Sequence, residues 1–347
     1  MSWEERPLEK HVEWLIKNKL GERGKRLWTN YEATRTEVVD HVLPWIKNQA
    51  PDLTDHGIDH IQDVIDRASE LMGFINQYCI EAERPIMHDF TPDEMYVLLC
   101  GLLFHDVGNI FGRNKHNLKI ADVWSKLPTW GSWTDNDRNI IIEVGRAHSG
   151  LTLTGATDTL KPLSVSSRYF CKQPVRLGPI AAVIRFADEL AEGPQRTSRL
   201  LIDCKLIDEG SELYHHYAQI TQVAIDRKRG LVALTFHINV DNSAYPVDEV
   251  KRRSHLSALL KMVYSRAAKM NNERQFARHY ADVLMPFRET SISLTFQKTG
   301  QPLGIGLEPI TLNDFSSPGD LDGLIEKVDQ RYLVGPLVDS ALGVKNV

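Results

Sequence analysis

An apolar helix that ends in a histidine and an aspartate constrains this chain more than any other feature of its sequence. Thr91-Pro-Asp-Glu94 is typical of a helix start, with threonine as N-cap, proline in the first turn and glutamate three residues after the cap. The run from Met95 to Phe104 is apolar on nearly every side, which predicts a helix at the centre of a bundle. His105 and Asp106 follow directly. Because a carboxylate at the end of a buried helix is costly without a compensating charge, the pair predicts a metal site.

Other predicted helices carry further histidines and acids. One follows Asp55 and runs through His60 to Leu71, and residues 176–192 form another buried-looking helix that contains Asp188. In a helix, His56 and His60 would share one face, about 6 Å apart along the axis. Taken singly, these histidines also fit a surface face, and Asp188 also fits the surface of its helix.

The predicted fold class is mainly α, with a C-terminal α+β portion. We expect a helical domain over residues 1–200, in which Thr134 starts a further helix, and a smaller α+β portion of unknown role over residues 201–347. In the second portion, β-branched, alternating segments predict a hairpin and one more strand, between helical patterns. The strands are predicted at residues 217–225, 231–240 and 291–297, and the helices at residues 247–269, 273–284 and 321–332.

Composition and charge argue against several classes of function. The net charge of −5 argues against broad binding to a long nucleic-acid backbone, although a small anionic ligand remains compatible with it. No apolar run approaches 18 residues, and the N-terminus has no apolar signal core, so we expect a cytoplasmic protein without a membrane partner. The four cysteines form no CxxC pair, which argues against a thiolate zinc site.

The order His60, His105-Asp106, Asp188 resembles the HD superfamily of metal-dependent phosphohydrolases. The first histidine is followed four positions later by the small apolar Val64, the His-Asp pair closes a buried helix, and the last aspartate ends the stretch Ile184-Arg-Phe-Ala-Asp188. The resemblance covers roughly residues 50–195. It implies an HD-type helical bundle whose four side chains hold a divalent metal.

Two more histidines extend the resemblance. His116 and His148 fall between the His-Asp pair and Asp188, where binuclear members such as the HD-GYP phosphodiesterases carry ligands to a second metal. Asp106 would then bridge the two ions. The alternative is that both are helix-terminal residues, and His148 would favour a helix dipole. The HD-GYP tripeptide is absent, so that family's cyclic dinucleotide substrate is not assigned.

The resemblance also implies a chemistry. The nitrogen and oxygen donors suit one or two ions of Mn, Fe, Co, Ni, Zn or Mg, and such an ion activates a water to attack phosphorus. His56 stands four residues before His60, where the similar cyclic-nucleotide phosphodiesterases carry the acid that protonates the leaving oxygen; alternatively, it only fronts its helix. Candidates for phosphate binding, each of which also fits a solvated surface charge, are Arg113, Lys115, Arg146 and Arg196.

The expected function is hydrolysis of a nucleotide or related phosphate ester. Two alternatives stay open: a di-iron oxygenase on the same scaffold, and a non-catalytic module that senses nucleotides. The α+β appendage is similar to that of bacterial HD proteins found in conflict or stress settings, which gives no substrate. The specific ester and the oligomeric state are not specified by the sequence, although many HD proteins form homo-oligomers.

Overall fold

The computed structural model describes residues 3–49, 54–73, 89–149, 152, 155–165, 168–208, 210–314 and 324–344. The chain forms two compact units. The first comprises Met1–Ala191 and Phe276–Met285, and the second comprises Glu192–Gln275 and Pro286–Val347. The first unit therefore ends before residue 200, the end we expected for the helical domain, and it also includes a later segment of the chain.

The first unit is built from helices and one short hairpin. Its described helices are α1 (Pro7–Leu20), α2 (Glu22–His41), α3 (Leu43–Gln49), α4 (Ile58–Met72), α5 (Pro92–Phe104), α6 (Ile120–Trp124), α7 (Asp135–Arg146), α8 (Lys161–Ser164) and α9 (Leu177–Leu190). Strands β1 (Arg168–Phe170) and β2 (Gln173–Val175) pair antiparallel. Short 3-10 turns at Val107–Phe111, His116–Lys119 and Pro128–Ser132 connect the helices.

Helix α5 is the centre of this unit. The predicted capping box at Thr91 is confirmed, and every residue from Asp93 to Phe104 is buried. The segment Pro92–Phe111 is long and apolar enough to cross a membrane, but 89% of its most apolar window is buried within the structure, as in a bundle core. At Gly101 the neighbouring helices come so close that a Cβ atom would lie 2.5 Å from the Cδ1 of Ile184 on α9.

A buried carboxylate aligns the starts of α5 and α9. One oxygen of Glu94 accepts hydrogen bonds from the backbone N–H and Nε of Arg176, at 2.9 and 2.8 Å. The other accepts from the Thr91 N–H and from Nη2 of Arg176, both at 2.8 Å. Thr91 and Arg176 are the N-caps of the two helices, so one side chain ties both beginnings together.

The second unit contains a five-stranded mixed sheet with helices, which confirms the α+β prediction for the C-terminal portion. The strands are β3 (Thr221–Asp226), β4 (Leu231–Asn239), β5 (Glu289–Lys298), β6 (Gln301–Pro302) and β7 (Ile310–Leu312). Strand β4 pairs antiparallel with β3 and parallel with β5, whose other edge holds β6 and β7. The helices are α10 (Arg199–Asp203), α11 (Glu212–Ile220), α12 (Glu249–Tyr280), α13 (Leu324–Val328) and α14 (Val334–Leu342), and the last residues of α12 belong to the first unit.

The structure corrects three predicted boundaries. Residues 217–220 end helix α11 and are not in a strand, because Leu213, Tyr217 and Ile220 follow a helical spacing. The two helical patterns over 247–284 form one helix up to Tyr280, since no glycine or proline interrupts it. In the last predicted helix, residues 324–328 are helical and residues 330–332 form a 3-10 turn, while residues 321–323 lie outside the described residues.

We predict that Glu94→Gln lowers the free energy of unfolding by about 1–3 kcal/mol, the cost of leaving buried hydrogen-bonding groups unsatisfied. Glutamine would replace one acceptor oxygen by an NH₂ group, which faces donors on Thr91 or Arg176. Urea denaturation of the two proteins measures the difference.

Asp89→Asn is the matched control. Asp89 pairs with the same Arg176, but its side chain is 57% exposed, and such a pair contributes less than about 1 kcal/mol. Equal losses for the two variants would contradict the alignment role of Glu94.

Candidate metal centre

Six side chains from separate elements meet inside the first unit. Helix α4 supplies His60, the end of α5 supplies His105 and Asp106, and α9 supplies Asp188. His116 begins a 3-10 turn, and His148 lies just past the end of α7. All are buried except Asp188, whose side chain is 23% exposed.

The first donor group contains His60, His105, Asp106 and Asp188. Nε2 of His60 lies 3.3 Å from Oδ2 of Asp106 and 3.3 Å from Oδ1 of Asp188. Nε2 of His105 lies 3.8 Å and 3.6 Å from the same two oxygens. Four donor atoms thus surround one small volume.

The second donor group uses the other oxygen of Asp106. Oδ1 lies 3.1 Å from Nε2 of His116 and 3.5 Å from Nε2 of His148, and the two imidazole nitrogens are 3.0 Å apart. One carboxylate therefore stands between two groups of donors, with one oxygen directed to each.

The hydrogen bonds of the imidazoles leave room for a cation between these atoms. Nδ1–H of His105, His116 and His148 donates to the backbone carbonyls of Leu102 (2.8 Å), Arg113 (3.1 Å) and Gly145 (2.6 Å), respectively. In the neutral rings this leaves the Nε2 lone pairs facing carboxylate oxygens and one another. Within the described residues, Nε2 of His60, Nε2 of His105 and Oδ1 of Asp106 have no hydrogen-bond partner. Because buried acceptors that face acceptors are unfavourable, the cluster fits a divalent metal ion.

The pKa values of the two acids reflect two opposing effects, burial and the nearby histidines. Burial alone would raise the pKa of Asp106, but His105, His116, His148 and His60 hold that pKa well below its usual range. Burial likewise opposes ionisation of Asp188, and the neighbouring His105 and His60 lower its pKa well below the ordinary value. The two acids are therefore charged and able to bind a cation.

The pKa values of two of the histidines shift in opposite directions. Burial lowers the pKa of His105, but Asp106 and Asp188 more than offset this, so the pKa is raised. Burial lowers the pKa of His148, and the nearby carboxylate of Asp106 does not compensate. His148 is thus held neutral, the form in which imidazole binds a metal.

Comparison with known families agrees with this geometry. The model of the HD-CE family matches residues 50–267, more than half of the chain. The chain belongs to the HD-CE family. No curated protein and no solved structure matches it. The expected HD-type domain is therefore present, and its buried cluster is able to hold a divalent metal.

The structure places His56 beside the cluster of this HD-CE protein, but not as the helical spacing suggested. Helix α4 begins at Ile58, so His56 precedes the helix and does not share a helical face with His60. The two rings are nevertheless neighbours, with centroids 5.2 Å apart. Nδ1–H of His56 donates to the carbonyl of Thr54 at 2.5 Å, which fixes the ring.

The four predicted phosphate-binding cations have different surroundings. Nη1 of Arg113 lies 3.8 Å from Oδ1 of Asp106, and half of its side chain is exposed. Lys115 is exposed in the following turn, and Nη2 of Arg146 contacts the carbonyl of Leu118 at 3.5 Å. Arg196 belongs to the second unit, where it is buried and bonded to Glu192 at 3.3 Å. Among these contacts, only those of Arg113 reach the cluster.

Three polar residues of the site escaped the sequence reasoning. Asn109 is fully buried, and its Oδ1 faces Nη1 of Arg113 at 3.5 Å. Nδ2 of Asn117 donates to the carbonyls of Arg146 (3.1 Å) and Ser149 (2.8 Å), and Oγ of Ser149 lies 3.0 Å from Nε2 of His148. The available signal was proximity in sequence, since Asn117 and Ser149 directly follow His116 and His148, and Asn109 follows Asp106 by three residues.

The cluster requires a glycine at position 108. A Cβ atom there would clash with the backbone carbonyl of His116, so only glycine lets the Val107–Phe111 turn pack against the ligand-bearing turn. We predict that Gly108→Ala destabilises the protein by about 1–3 kcal/mol, as overpacking does. It should also reduce metal uptake, because His116 must move.

Gly131→Ala is the control, since Gly131 also lies in a 3-10 turn and a Cβ atom there would meet nothing within 4 Å. Urea denaturation and metal analysis of the two variants check the prediction. Full metal content in Gly108→Ala would show that His116 does not depend on this close approach.

Proposed function

We propose that this HD-CE protein is a metal-dependent phosphohydrolase that acts on a nucleotide or a related small phosphate ester. The observation that carries the proposal is the position of Asp106, a buried carboxylate with one oxygen directed to each of two donor groups. Two cations about 4 Å apart are a recurrent arrangement in enzymes that cleave phosphate esters.

The donor set suits the chemistry. His60, His105 and Asp188 would hold one ion, His116 and His148 a second, and Asp106 both. Nitrogen and oxygen donors without thiolate are compatible with Mn²⁺, Fe²⁺, Co²⁺, Ni²⁺, Zn²⁺ or Mg²⁺. When bound, such ions supply an activated water near neutral pH and neutralise negative charge that develops on the phosphoryl oxygens.

The chain's own residues account for substrate binding. The exposed half of the Arg113 side chain gives its guanidinium access to solvent on the Oδ1 side of Asp106. Asp188 is the partly exposed member of the first donor group. A phosphate ester that enters from solvent would meet Arg113, whose planar fork matches two phosphate oxygens.

His56 is the proposed acid for the leaving group. Its ring neighbours that of His60, and its Nδ1–H bond to Thr54 directs the opposite nitrogen away from the backbone. Histidine is a common general acid, and an imidazole at this position could protonate a leaving alkoxide.

The same cluster could serve a di-iron oxygenase or a nucleotide sensor. We favour hydrolysis because an exposed arginine at the cluster suits an anionic substrate, and because the complete donor set favours an enzyme over a sensor that no longer needs a metal. We further propose a cytoplasmic setting and a small phosphorylated partner, without a membrane or a long nucleic acid.

We predict that chelation abolishes hydrolysis of bis(4-nitrophenyl) phosphate and of nucleotides, and that Mn²⁺ restores it under anaerobic conditions. Asp106→Asn should lower the rate by more than about 100-fold, beyond the loss typical of groups that only support a metal site. Release of nitrophenol, phosphate or nucleoside measures the reaction.

The control is Asp122→Asn, an exposed acid paired with Lys119 that we expect to leave the rate unchanged. Oxygen uptake with iron and no anaerobic hydrolysis would select the oxygenase. Nucleotide binding without turnover, unchanged in Asp106→Asn, would select the sensor.

For Arg113→Ala we predict that kcat/KM for a phosphate ester falls by about 10- to 100-fold, the equivalent of one charge-assisted hydrogen bond. Metal content should stay the same, because Arg113 is not a donor. Steady-state kinetics and metal analysis of this variant, beside Lys126→Ala as an exposed-cation control, separate the two effects. An unchanged kcat/KM would remove Arg113 from the phosphate site.

A further inference from the structure

A serine hydroxyl lies next to the second donor group of Asp106, His116 and His148. Oγ of Ser149 lies 3.0 Å from Nε2 of His148 and 3.4 Å from Nε2 of His116. The same two nitrogens are 3.0 Å from each other, and 3.1 and 3.5 Å from Oδ1 of Asp106. Five of the six separations among four donor atoms therefore fall between 3.0 and 3.5 Å.

These separations match the edges of a coordination polyhedron. With metal–donor distances of about 2.0–2.1 Å, adjacent donors lie roughly 3.3 Å apart in a tetrahedron and roughly 3.0 Å apart in an octahedron. Two imidazole nitrogens, a carboxylate oxygen and a hydroxyl oxygen at these separations can share one ion. A donor set of His116, His148 and Asp106 alone would leave that side of the polyhedron to water.

The backbone that carries Ser149 is held in place independently of its hydroxyl. Asn117 donates to the carbonyls of Arg146 and Ser149, on either side of His148. Oγ1 of Thr159 donates to the carbonyl of Ala147 at 2.7 Å. Because both Asn117 and Thr159 are buried, the turn from Arg146 to Ser149 is fixed and presents the hydroxyl to the imidazoles.

We infer that the hydroxyl of Ser149 is the fourth protein donor of the second cation position. This inference rests on the proposed metal centre. A neutral oxygen donor adds no charge and favours an oxygen-preferring divalent cation such as Mn²⁺ or Mg²⁺ over a thiolate-preferring one. The alternative role for Ser149 is a simple hydrogen bond, in which its hydroxyl donates to Nε2 of His148 in the cation-free protein.

Cobalt titration of Ser149 variants distinguishes the two roles. In the wild type we expect two Co²⁺ ions per chain, one for each donor group. Ser149→Ala should weaken the second ion by about 10- to 100-fold or more, while the first stays bound. Ser149→Thr, which keeps the hydroxyl, should retain both.

Ser149→Cys supplies a positive signal that does not depend on lost activity. A thiolate at this position should bind Co²⁺ and produce a sulfur-to-cobalt charge-transfer band. The final intensity of the band should correspond to one thiolate-bound cobalt ion per chain. Ser125→Cys is the matched control, because Ser125 is exposed and its hydroxyl donates to the carbonyl of Asp122, away from both donor groups. Circular dichroism melting curves verify that each variant is folded.

The outcomes separate this inference from the proposed function. Two ions in the wild type and in Ser149→Ala with equal affinity, and no band in Ser149→Cys beyond that of Ser125→Cys, would overturn the role of Ser149 and leave the metal centre intact. A single ion in the wild type would also overturn it, since no second position would exist. No cobalt binding at all would overturn the metal centre as well.

Discussion

The buried charge of Asp106 is the constraint on which the first unit depends. Its carboxylate lies at the end of the apolar, buried helix α5, where an uncompensated charge would be severely destabilising. Four histidines face its two oxygens, and three of them are held by backbone carbonyls in the tautomer that presents a bare nitrogen. In the neutral rings these bonds leave no Nε2–H to donate to the carboxylate. A cation held by this cluster would balance the buried negative charge and also supply the proposed chemistry.

The position of Asp106 relative to Asp188 depends on contacts at the other ends of their helices, where α5 and α9 begin. Glu94 joins the N-cap residues of α5 and α9, so the two helices begin at the same level. Asp188 follows the N-cap Arg176 by 12 residues, and His105 follows the N-cap Thr91 by 14, which corresponds to roughly 18 Å and 21 Å of helix. Similar helix lengths, measured from N-caps that Glu94 holds together, bring His105 and Asp188 to neighbouring levels of the bundle. The acid in the capping box thus contributes to the geometry of a cluster that it does not touch.

These relations explain what sequence reasoning could and could not find. The helix start at Thr91 and the apolar run after it are local signals, so α5 was predicted correctly. Ser149 and Asn117 were missed because their roles depend on a turn whose shape comes from contacts with another segment. The strand predicted at residues 217–225 began four residues too early for a related reason: the window started inside a helix and excluded Leu213, the residue that reveals the helical spacing. Among the candidate cations, charge and proximity in sequence did not separate Arg113 from Arg146, because the contact that distinguishes them is tertiary.

The residues that match the family do not coincide with either compact unit of the chain. Residues 50–267 include every donor of the cluster and continue past Ala191 into the second unit, up to the middle of α12. They exclude strand β5, which pairs with β4 along nine residue pairs, and they exclude α1, which packs on α5. The matched segment is therefore not a folding unit by itself, since β4 and α5 both need partners from outside it to bury their apolar faces. The matched residues include every candidate metal ligand, whereas α1, which packs on α5, precedes them and β5, which pairs with β4, follows them.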